Sequence, residues 1–375
     1  MTTLNLGIIG TGLAVEKLHW PALQALEDRY KVVAFCDVDR VHANNFADYS
    51  GTSMDQFTRD YHELLDREDV DVVLISLPIP LAAQVIEHAL EAGKHVLCEK
   101  PQAANFEEAT VLWSVVDQYP DQKLMIAENW FYRDDLRYAM TLLQQGEIGR
   151  VHTMGFRRLK QLIPREGEFS STPWRWQGAY EGGPHLDGGV HQIALMRMLM
   201  GDVDRISAEV QDANETHGGP SQLATTVRFI DNAIGNFMLG SPSAHMPPDE
   251  NGIRIYGTQG VMSVNDERIL VWKDDQTIRH EVERQDFGYI NEFHNFHDAV
   301  VHDAPIIGDF YQSWRGMELV HLALRSAEEG TSLSTDRDVA PLEPWPIDLW
   351  LPHGEHDLDV KVEVTPKKGY VSAST

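Results

Sequence analysis

Two short motifs contain side chains suited to the oxidation of an alcohol. Lys100 lies in GKHVLCEKP at 93–101, and Asp187 precedes His191 by four positions in GGPHLDGGVH at 182–191. Oxidation needs a hydride acceptor and a proton acceptor, and an imidazole beside a carboxylate suits the second role. At a predicted helix start, residues four apart share a face, so Asp187 is expected to tune and orient His191. Lys100 is suited to hold the substrate hydroxyl. Taken alone, Lys100 is more typical of a solvated charge and His191 of a core histidine.

A glycine-rich loop follows the first predicted strand and opens a helix. Gly10 and Gly12 match the first two glycines of a dinucleotide fingerprint, and they permit a tight turn and close approach of the backbone to a pyrophosphate. Val15 replaces the third glycine, which predicts looser helix–strand packing. Asp37 ends the second strand, where a carboxylate accepts hydrogen bonds from ribose hydroxyls and repels a 2′-phosphate. The pattern therefore favours NAD over NADP, although Arg40 would soften that preference. The residues expected to contact the cofactor are Gly10, Gly12, Leu13, Ala14, Asp37, Arg40, Leu77, Pro78, Glu99, Lys100 and Asn129.

Strands and helices alternate as far as residue 128 and predict a doubly wound, parallel Rossmann sheet. The predicted strands are 4–9, 31–37, 71–77, 94–98 and 123–127, and the predicted helices are 14–26, 60–65, 82–92 and 106–118. Ligands of such sheets bind beyond the carboxyl ends of the strands. Lys100 and Asn129 lie just past two of these ends, so both are expected to face the cleft.

After residue 128 the pattern becomes strand-rich and predicts an open, mostly antiparallel sheet. The predicted strands are 151–160, 205–211, 222–230, 233–239, 252–256, 261–264, 268–272 and 277–283, with helices at 135–145, 188–200, 290–301 and 310–328. The fold class is therefore α/β, with a dinucleotide-binding domain at 1–128 and a second α/β domain at 129–375. The tail from Pro341 shows no clear periodicity, and we expect it to wrap a domain or a partner subunit.

Composition and charge limit the classes of partner. Hydrophobic residues make up 42% and charged residues 24%, as in globular proteins. The 58 acidic and 31 basic residues give a formal charge of −27, which argues against nucleic acid and anionic membrane surfaces as partners. The segment MTTLNLGIIG lacks the positive region of a signal peptide, and the longest apolar stretch, 72–83, is too short to cross a membrane. We therefore expect a cytoplasmic protein in which Cys36 and Cys98 are small buried side chains.

Together these motifs resemble the glucose–fructose oxidoreductase and inositol dehydrogenase group, the Gfo/Idh/MocA family. The resemblance covers about residues 4–333, and it rests on the two motifs described above, GIIGTG at 7–12, the turn Gly-Thr-Gln-Gly at 257–260 and LRSAEEG at 324–330. It implies an NAD(P)-dependent oxidoreductase acting on a sugar, a polyol or a sugar derivative. It also implies a homodimer or homotetramer formed through the C-terminal sheet.

The resemblance assigns the usual catalytic set of the family to Lys100, Asp187 and His191. The chain departs from the family pattern at Ala194, where many members have an aspartate that contacts substrate. It departs again at Ala82, where many have a histidine. The first departure puts a simple inositol-like substrate in doubt, and the second changes the surroundings of the cofactor.

Several further residues are candidates for contact with substrate. Trp174 and Arg175 either bind a sugar or pack their own loop, and Tyr289 is placed to reach the pocket from the start of a helix. Arg157, Lys160 and Arg165 form a basic cluster. These side chains either bind an acidic substrate or form a solvated strand face, and the pattern favours the solvated face.

A metal site and two other functions are weaker alternatives. His294 and His297 lack a third ligand nearby, so no metal is expected there. The scaffold also fits a dinucleotide-sensing regulator without turnover, or an NAD-dependent glycosidase that oxidises its sugar transiently. The joint presence of Lys100, Asp187 and His191 argues against the regulator, and release of a leaving group without net NADH would identify the glycosidase.

Overall fold

The structure, a computed structural model, describes residues 2–212, 219–242, 251–265, 268–284, 286–337 and 358–366. Two sheets organise these residues, a parallel sheet in the first third of the chain and a mostly antiparallel sheet in the remainder. This arrangement confirms the predicted fold class. Among the described residues, no helix is both long enough and apolar enough to cross a membrane.

Six parallel strands form the first sheet, in the order β3-β2-β1-β4-β5-β6. The strands are β1 (Leu4–Ile9), β2 (Tyr30–Cys36), β3 (Phe57–Thr58), β4 (Val72–Ile75), β5 (His95–Glu99) and β6 (Leu124–Ala127), and the helices are α1 (Trp20–Ala25), α2 (Arg40–Ser50), α3 (Tyr61–Leu65), α4 (Ile79–Glu91) and α5 (Phe106–Val116). All four residues of β4 are buried, because helices cover both faces of a doubly wound sheet.

Helix α2 and strand β3 were not predicted from the sequence. The side chain of Asp39 caps α2 by accepting a hydrogen bond from the backbone of Val41, and Gly51 ends the helix in a left-handed conformation. Only Ala43 and Phe46 of α2 are buried, so its apolar stripe is too narrow to give a clear helical period. Strand β3 has two residues, which is too short for any periodicity to be recognised.

The second sheet has ten strands in the order β15-β8-β9-β10-β7-β11-β12-β13-β14-β16, antiparallel throughout except for the pair β7–β10. Its strands are β7 (Val151–Leu159), β8 (Val203–Gln211), β9 (Gln222–Phe229), β10 (Ile234–Gly240), β11 (Gly252–Gly257), β12 (Val261–Val264), β13 (Ile269–Lys273), β14 (Gln276–Val282), β15 (Leu333–Ser334) and β16 (Val360–Pro366), and its helices are α6 (Asp134–Gln144), α7 (Pro184–Asp187), α8 (Gly189–Met200), α9 (Tyr289–His302) and α10 (Phe310–Glu329). Alternate residues of β10 are buried, as expected for a sheet with one covered face.

Part of the tail adds a strand to this sheet. Residues of β16 pair antiparallel with β14, from Val360 opposite Val282 to Pro366 opposite Gln276. The expectation of a tail without periodicity is therefore wrong for these residues, since the valines at 360, 362 and 364 alternate with polar side chains. The predicted wrapping by residues 341–357 falls outside the described residues.

Helix α10 joins the two halves, because it packs against α5 on one side and against β8 and α8 on the other. Trp314 of α10 is fully buried, and its ring meets those of Trp113 and Phe106 in α5. This packing holds α8 beside the carboxyl ends of the parallel strands. The motif at 182–191 and the end of β5 are thereby brought to one place.

Candidate active site

The glycine-rich loop after β1 fits a dinucleotide. Gly10 has a φ of 88°, and a Cβ there would lie 2.2 Å from the carbonyl oxygen of Ser76. A Cβ at Gly12 would instead meet no atom within 4 Å, so the space beside its backbone is open. Val15 is fully buried and begins a π-helical turn, Val15–His19, before α1. A π turn is wider than an α turn, which accommodates a side chain at the third glycine position.

Asp37 fixes this loop to the end of β2. Its carboxylate accepts hydrogen bonds from the backbone nitrogen of Thr11 at 2.8 Å and from the hydroxyl of Thr11 at 3.0 Å. The carboxylate therefore lies beside the glycine-rich loop, where dinucleotide-binding folds hold the ribose. Arg40 is exposed at the start of α2, with its guanidinium 5.8 Å from the ring centroid of Phe57.

The other residues expected to contact the cofactor lie at neighbouring strand ends. Leu77 and Pro78 follow β4, and a Cδ atom of Leu77 is 3.0 Å from the position of a Cβ at Gly10. Glu99 ends β5, and Asn129 follows the end of β6 after one residue. The amide of Asn129 donates to the carbonyl oxygen of Phe287 at 2.7 Å, which ties this strand end to the start of α9.

Lys100 and Asp187 meet across 87 positions of sequence. The ammonium of Lys100 donates to the carbonyl oxygen of Asp187 and lies 3.8 Å from its carboxylate. Arg175 approaches that carboxylate from the other side, with Nε 2.7 Å from Oδ2. Burial raises the pKa of Asp187, but the charges of Lys100 and Arg175 outweigh burial and hold this pKa below its usual range. Asp187 is therefore an anion that positions two cations.

His191 is held by a carboxylate that the sequence did not predict. Its Nδ1 lies 2.6 Å from Oε1 of Glu128, which is buried one residue after β6. The ring of Trp130 stacks on the imidazole, with centroids 5.6 Å apart and planes 10° from parallel. Because an ionised carboxylate only accepts hydrogen bonds, Nδ1 carries the proton and Nε2 is the free acceptor.

Of the two roles predicted for Asp187 toward His191, the hydrogen bond is made by Glu128, whereas the charges of Asp187 and His191 do interact, which lowers the pKa of Asp187. Asp187 is the last residue of α7, whereas His191 lies in the first turn of α8, and Gly188 separates the two helices. Without one continuous helix, the spacing of four does not place both side chains together as a hydrogen-bonded pair. Asp187 still contributes its charge to the site, and Glu128 takes the hydrogen-bonding role.

A second histidine–glutamate pair lies behind this site. Nε2 of His19 is 2.7 Å from Oε1 of Glu99, and the rings of Tyr289 and Phe293 meet the His19 ring edge to face. Burial raises the pKa of Glu99, but the hydrogen bond and charge of His19, with the charge of Lys100, bring it below its usual range. Tyr289 thus packs on a buried histidine, and burial with neighbouring acids raises its own pKa.

Glu292, in the first turn of α9, is fully buried beside these pairs. Neither of its carboxylate oxygens has a hydrogen-bond partner among the described residues. Burial, followed by the charges of Glu99 and Glu128, raises its pKa well above the usual range for a glutamate. Glu292 is therefore neutral over a pH range in which exposed glutamates are charged.

A cavity of about 420 Å³ opens next to Asp187. Trp176 and Tyr180 contribute aromatic walls. Lys160 and Arg165 of the predicted basic cluster line it, whereas Arg157 is exposed on β7 and is not among the lining residues. The volume lies within the range usual for small-molecule sites.

The loop before α7 uses most of the donors of Arg175. Beyond its contact with Asp187, the guanidinium donates to the hydroxyl of Thr172 at 2.6 Å and to the carbonyl oxygen of Phe169 at 3.2 Å. Its Cζ lies 4.3 Å from the ring centroid of Trp174. Trp174 and Arg175 thus pack within their own loop, which was one of the two predicted alternatives. Arg175 also lines the cavity.

Several other residues singled out from the sequence are buried. Ala82 and Ala194 are both buried. Cys36 and Cys98 are buried free thiols, as predicted, and burial raises the pKa of Cys36 to about 12. His297 approaches the carbonyl oxygen of Thr2 at 2.8 Å. In the part of the chain that the structure describes, no group of three or more His, Cys, Asp or Glu side chains could hold a metal ion.

Comparison with protein-family models gives two matches. Residues 4–127 match the oxidoreductase family with an NAD-binding Rossmann fold, and residues 136–263 match the GFO/IDH/MocA C-terminal domain. The first match covers the parallel sheet and the motif at 93–101, and the second covers β7 to β11, most of β12 and the motif at 182–191.

Individual relatives cover most of the chain. A crystal structure of an oxidoreductase from Thermotoga maritima is 29% identical, has a TM-score of 0.81, and covers 89% of this chain and 98% of its own. An uncharacterised protein of Saccharomyces cerevisiae is 29% identical over 314 residues, which are 80% of this chain and 88% of that protein. Levoglucosan dehydrogenase of Pseudarthrobacter phenanthrenivorans is 27% identical over 299 residues, covering 72% and 75% of the two chains.

Proposed function

The chain belongs to the Gfo/Idh/MocA family of NAD-binding oxidoreductases, and we propose that it transfers a hydride between NAD and a hydroxyl or carbonyl carbon of a sugar, polyol or sugar derivative. One observation carries the proposal. Lys100 directly follows β5 and lies 3.8 Å from the carboxylate of Asp187, and His191 lies 2.6 Å from the buried carboxylate of Glu128, which directly follows the neighbouring strand β6. Relatives such as levoglucosan dehydrogenase act on sugars, which supports this substrate class.

The cofactor has defined places to bind. Gly10, Gly12, Leu13 and Ala14 would hold the pyrophosphate, and Asp37 would hold the ribose, with Leu77, Pro78, Glu99 and Asn129 along the strand ends. NAD, when bound, supplies the hydride acceptor, or NADH the donor in the reverse direction. The carboxylate of Asp37 favours NAD over NADP, and Arg40 is the residue nearby that would weaken this preference.

The proton is handled by His191. Nε2 is free to accept the proton of the substrate hydroxyl, because Nδ1 is bonded to Glu128. Glu128 is a positioning residue, which fixes the tautomer and stabilises the imidazolium that forms. Trp130 limits rotation of the ring. Side-chain exposure of 20% leaves His191 accessible from the cleft.

Lys100 orients the substrate hydroxyl. Its ammonium is anchored to the carbonyl oxygen of Asp187 and uses its remaining donors toward the cleft. A positive charge there stabilises the alkoxide character that develops as the proton leaves. Asp187 balances Lys100 and Arg175, so the site does not carry two uncompensated cations. Tyr289 supports this region by packing on His19.

The test is reduction of NAD and of NADP, measured separately, on a panel of aldoses, polyols and sugar acids. We expect turnover with NAD on at least one member, and we expect His191→Ala to abolish turnover while NADH still binds. Tight NADH binding with no turnover of any panel member would contradict the proposal. Release of an aglycone without net NADH would indicate the glycosidase instead.

We also propose that the second sheet forms a homodimer or homotetramer interface. The side chains of Ile234 and Met238 on β10, and of Val210 on β8, are exposed apolar groups of this sheet. Light scattering should give a dimer or tetramer mass, and Met238→Lys should lower that mass. A monomer at micromolar concentration would overturn this assembly. The division at residue 128 and the cytoplasmic location stay predictions from the sequence.

A further inference from the structure

Two lysines line the cavity beside Asp187. Lys17 comes from the π-helical turn after the glycine-rich loop, and Lys160 follows β7 in the other half of the chain. Asp187 and Arg175 line the same cavity, and the carboxylate of Asp187 also lies 3.8 Å from the ammonium of Lys100. The cavity therefore borders a side chain that holds Lys100.

The charge of the cavity is opposite to that of the chain. Four basic side chains and two acidic ones line it, namely Lys17, Lys160, Arg165, Arg175, Glu168 and Asp187. In the whole chain 58 acidic residues outnumber 31 basic ones. A chain with this composition would be expected to line a cavity with acids. A positive cavity in an acidic chain concentrates anions at that place.

Neighbouring acidic side chains do not neutralise all of the basic side chains that line the cavity. Arg175 is bonded to Asp187, and Arg165 lies 3.8 Å from Glu168. Lys17 donates to the carbonyl oxygen of Gly167, which is a neutral partner. Lys160 has no ion pair among the described residues. The two lysines therefore keep a charge that a ligand can balance.

Three aromatic side chains form part of the cavity wall. Phe169, Trp176 and Tyr180 line the same cavity. Aromatic faces pack on the C–H surfaces of a sugar ring, and their apolar surface strengthens a charge contact made beside them. The cavity thus combines aromatic walls with two lysines and borders Asp187.

We propose that the substrate is an acidic sugar, whose carboxylate or phosphate binds between Lys17 and Lys160 while its reacting carbon lies at Lys100 and His191. This inference rests on the proposed function, because that function identifies Lys100 and His191 as the groups at the reacting carbon. It also accounts for Lys160 and Arg165, whose cluster the sequence pattern favoured as a solvated strand face.

Binding to the NADH-loaded protein tests the inference independently of turnover. The probes are glucose, glucuronate and glucose 6-phosphate, followed by the change in NADH fluorescence. We expect at least one acidic probe to bind about tenfold more tightly than glucose, with an affinity that falls as salt rises. The carboxylate and phosphate probes distinguish the two anions. Equal binding of all three probes, or no binding of either acidic probe, would overturn the inference.

Variants locate the charge. The double variant Lys17→Met, Lys160→Met should weaken binding of the acidic probe about tenfold and leave binding of glucose unchanged. Lys160→Arg in place of Lys160→Met in that double variant should restore part of the lost affinity. Lys31→Met removes the same charge from the exposed start of β2, at the opposite end of the strand from the cofactor loop, and should change nothing. An equal loss in the Lys31 control would overturn the assignment.

Turnover of the same probes separates the two proposals. Tight, lysine-dependent binding of the acidic probe without hydride transfer would retain the anion site and contradict the dehydrogenase. Turnover of glucose at the same rate and affinity as both acidic probes would retain the dehydrogenase and contradict the anion site.

Discussion

Two histidine–glutamate pairs lie at adjacent strand ends, and they differ in what surrounds the imidazole. The pairs have nearly equal lengths, 2.6 Å for His191–Glu128 and 2.7 Å for His19–Glu99. The His191 side chain is 20% exposed, whereas that of His19 is fully buried beneath Tyr289 and Phe293. The same pair of groups can therefore serve proton transfer in one position and only structural support in the other. Access to the second ring nitrogen decides between these roles.

The largest effect should come from His191→Asn. Removal of the proton acceptor should lower kcat/KM by about 10²–10⁴-fold, with the free energy of unfolding nearly unchanged. Steady-state kinetics and denaturant unfolding measure the two quantities. The matched variant His19→Asn should show the reverse pattern. Equal losses of kcat/KM in both variants, at unchanged stability, would remove the distinction between the pairs.

Glu128→Gln should give the next largest effect. We expect kcat/KM to fall about tenfold or more, because the amide no longer stabilises the imidazolium that forms on His191. NADH affinity is the control and should be unchanged. An unchanged kcat/KM together with a lower free energy of unfolding would mean that Glu128 acts on folding alone, whereas Glu128→Asp should recover part of the rate.

His19→Asn should mainly affect stability. Glu99 loses its buried partner, and we expect a loss of about 2 kcal/mol in the free energy of unfolding at neutral pH. The pKa of Glu99 is lowered in the folded state, so its contribution is present above the unfolded pKa and is lost as pH falls through the folded one. The difference between variant and parent should shrink in acid, and denaturation at pH 7 and pH 4 tests this. A difference that grows in acid would contradict the assignment.

Glu292→Gln should have the smallest effect, with the opposite sign. The pKa of Glu292 is raised in the folded state, so the parent loses stability as pH rises above the pKa of the unfolded chain. The variant has no such group and should be more stable by roughly 1–2 kcal/mol at pH 8, with little gain at pH 4. Urea denaturation at the two pH values measures the gain. A less stable variant at pH 8 would show that the carboxylate has a buried partner.

Most of the fold follows from sequence periodicity, but the critical contact of the site does not. Continuous apolar runs predict the parallel strands, and alternation predicts most of the antiparallel ones. Glu128 and His191 are 63 positions apart, so no local spacing could indicate their hydrogen bond. The rule that ligands gather at strand ends predicts a cofactor contact at Asn129, and it applies equally to its neighbour Glu128. The prediction from the four-residue spacing of Asp187 and His191 assumed one continuous helix, but Gly188 interrupts that helix.

The tail strand β16 has a consequence for solubility at high concentration. It covers the edge of β14, whose backbone groups would otherwise be open to pairing with another chain. The strand itself carries Lys361, Glu363 and Pro366, which discourage further pairing, and at the other side β15 has only two residues. Removal of residues 358–375 should therefore expose the unpaired backbone groups of β14 and favour aggregation of an otherwise folded protein.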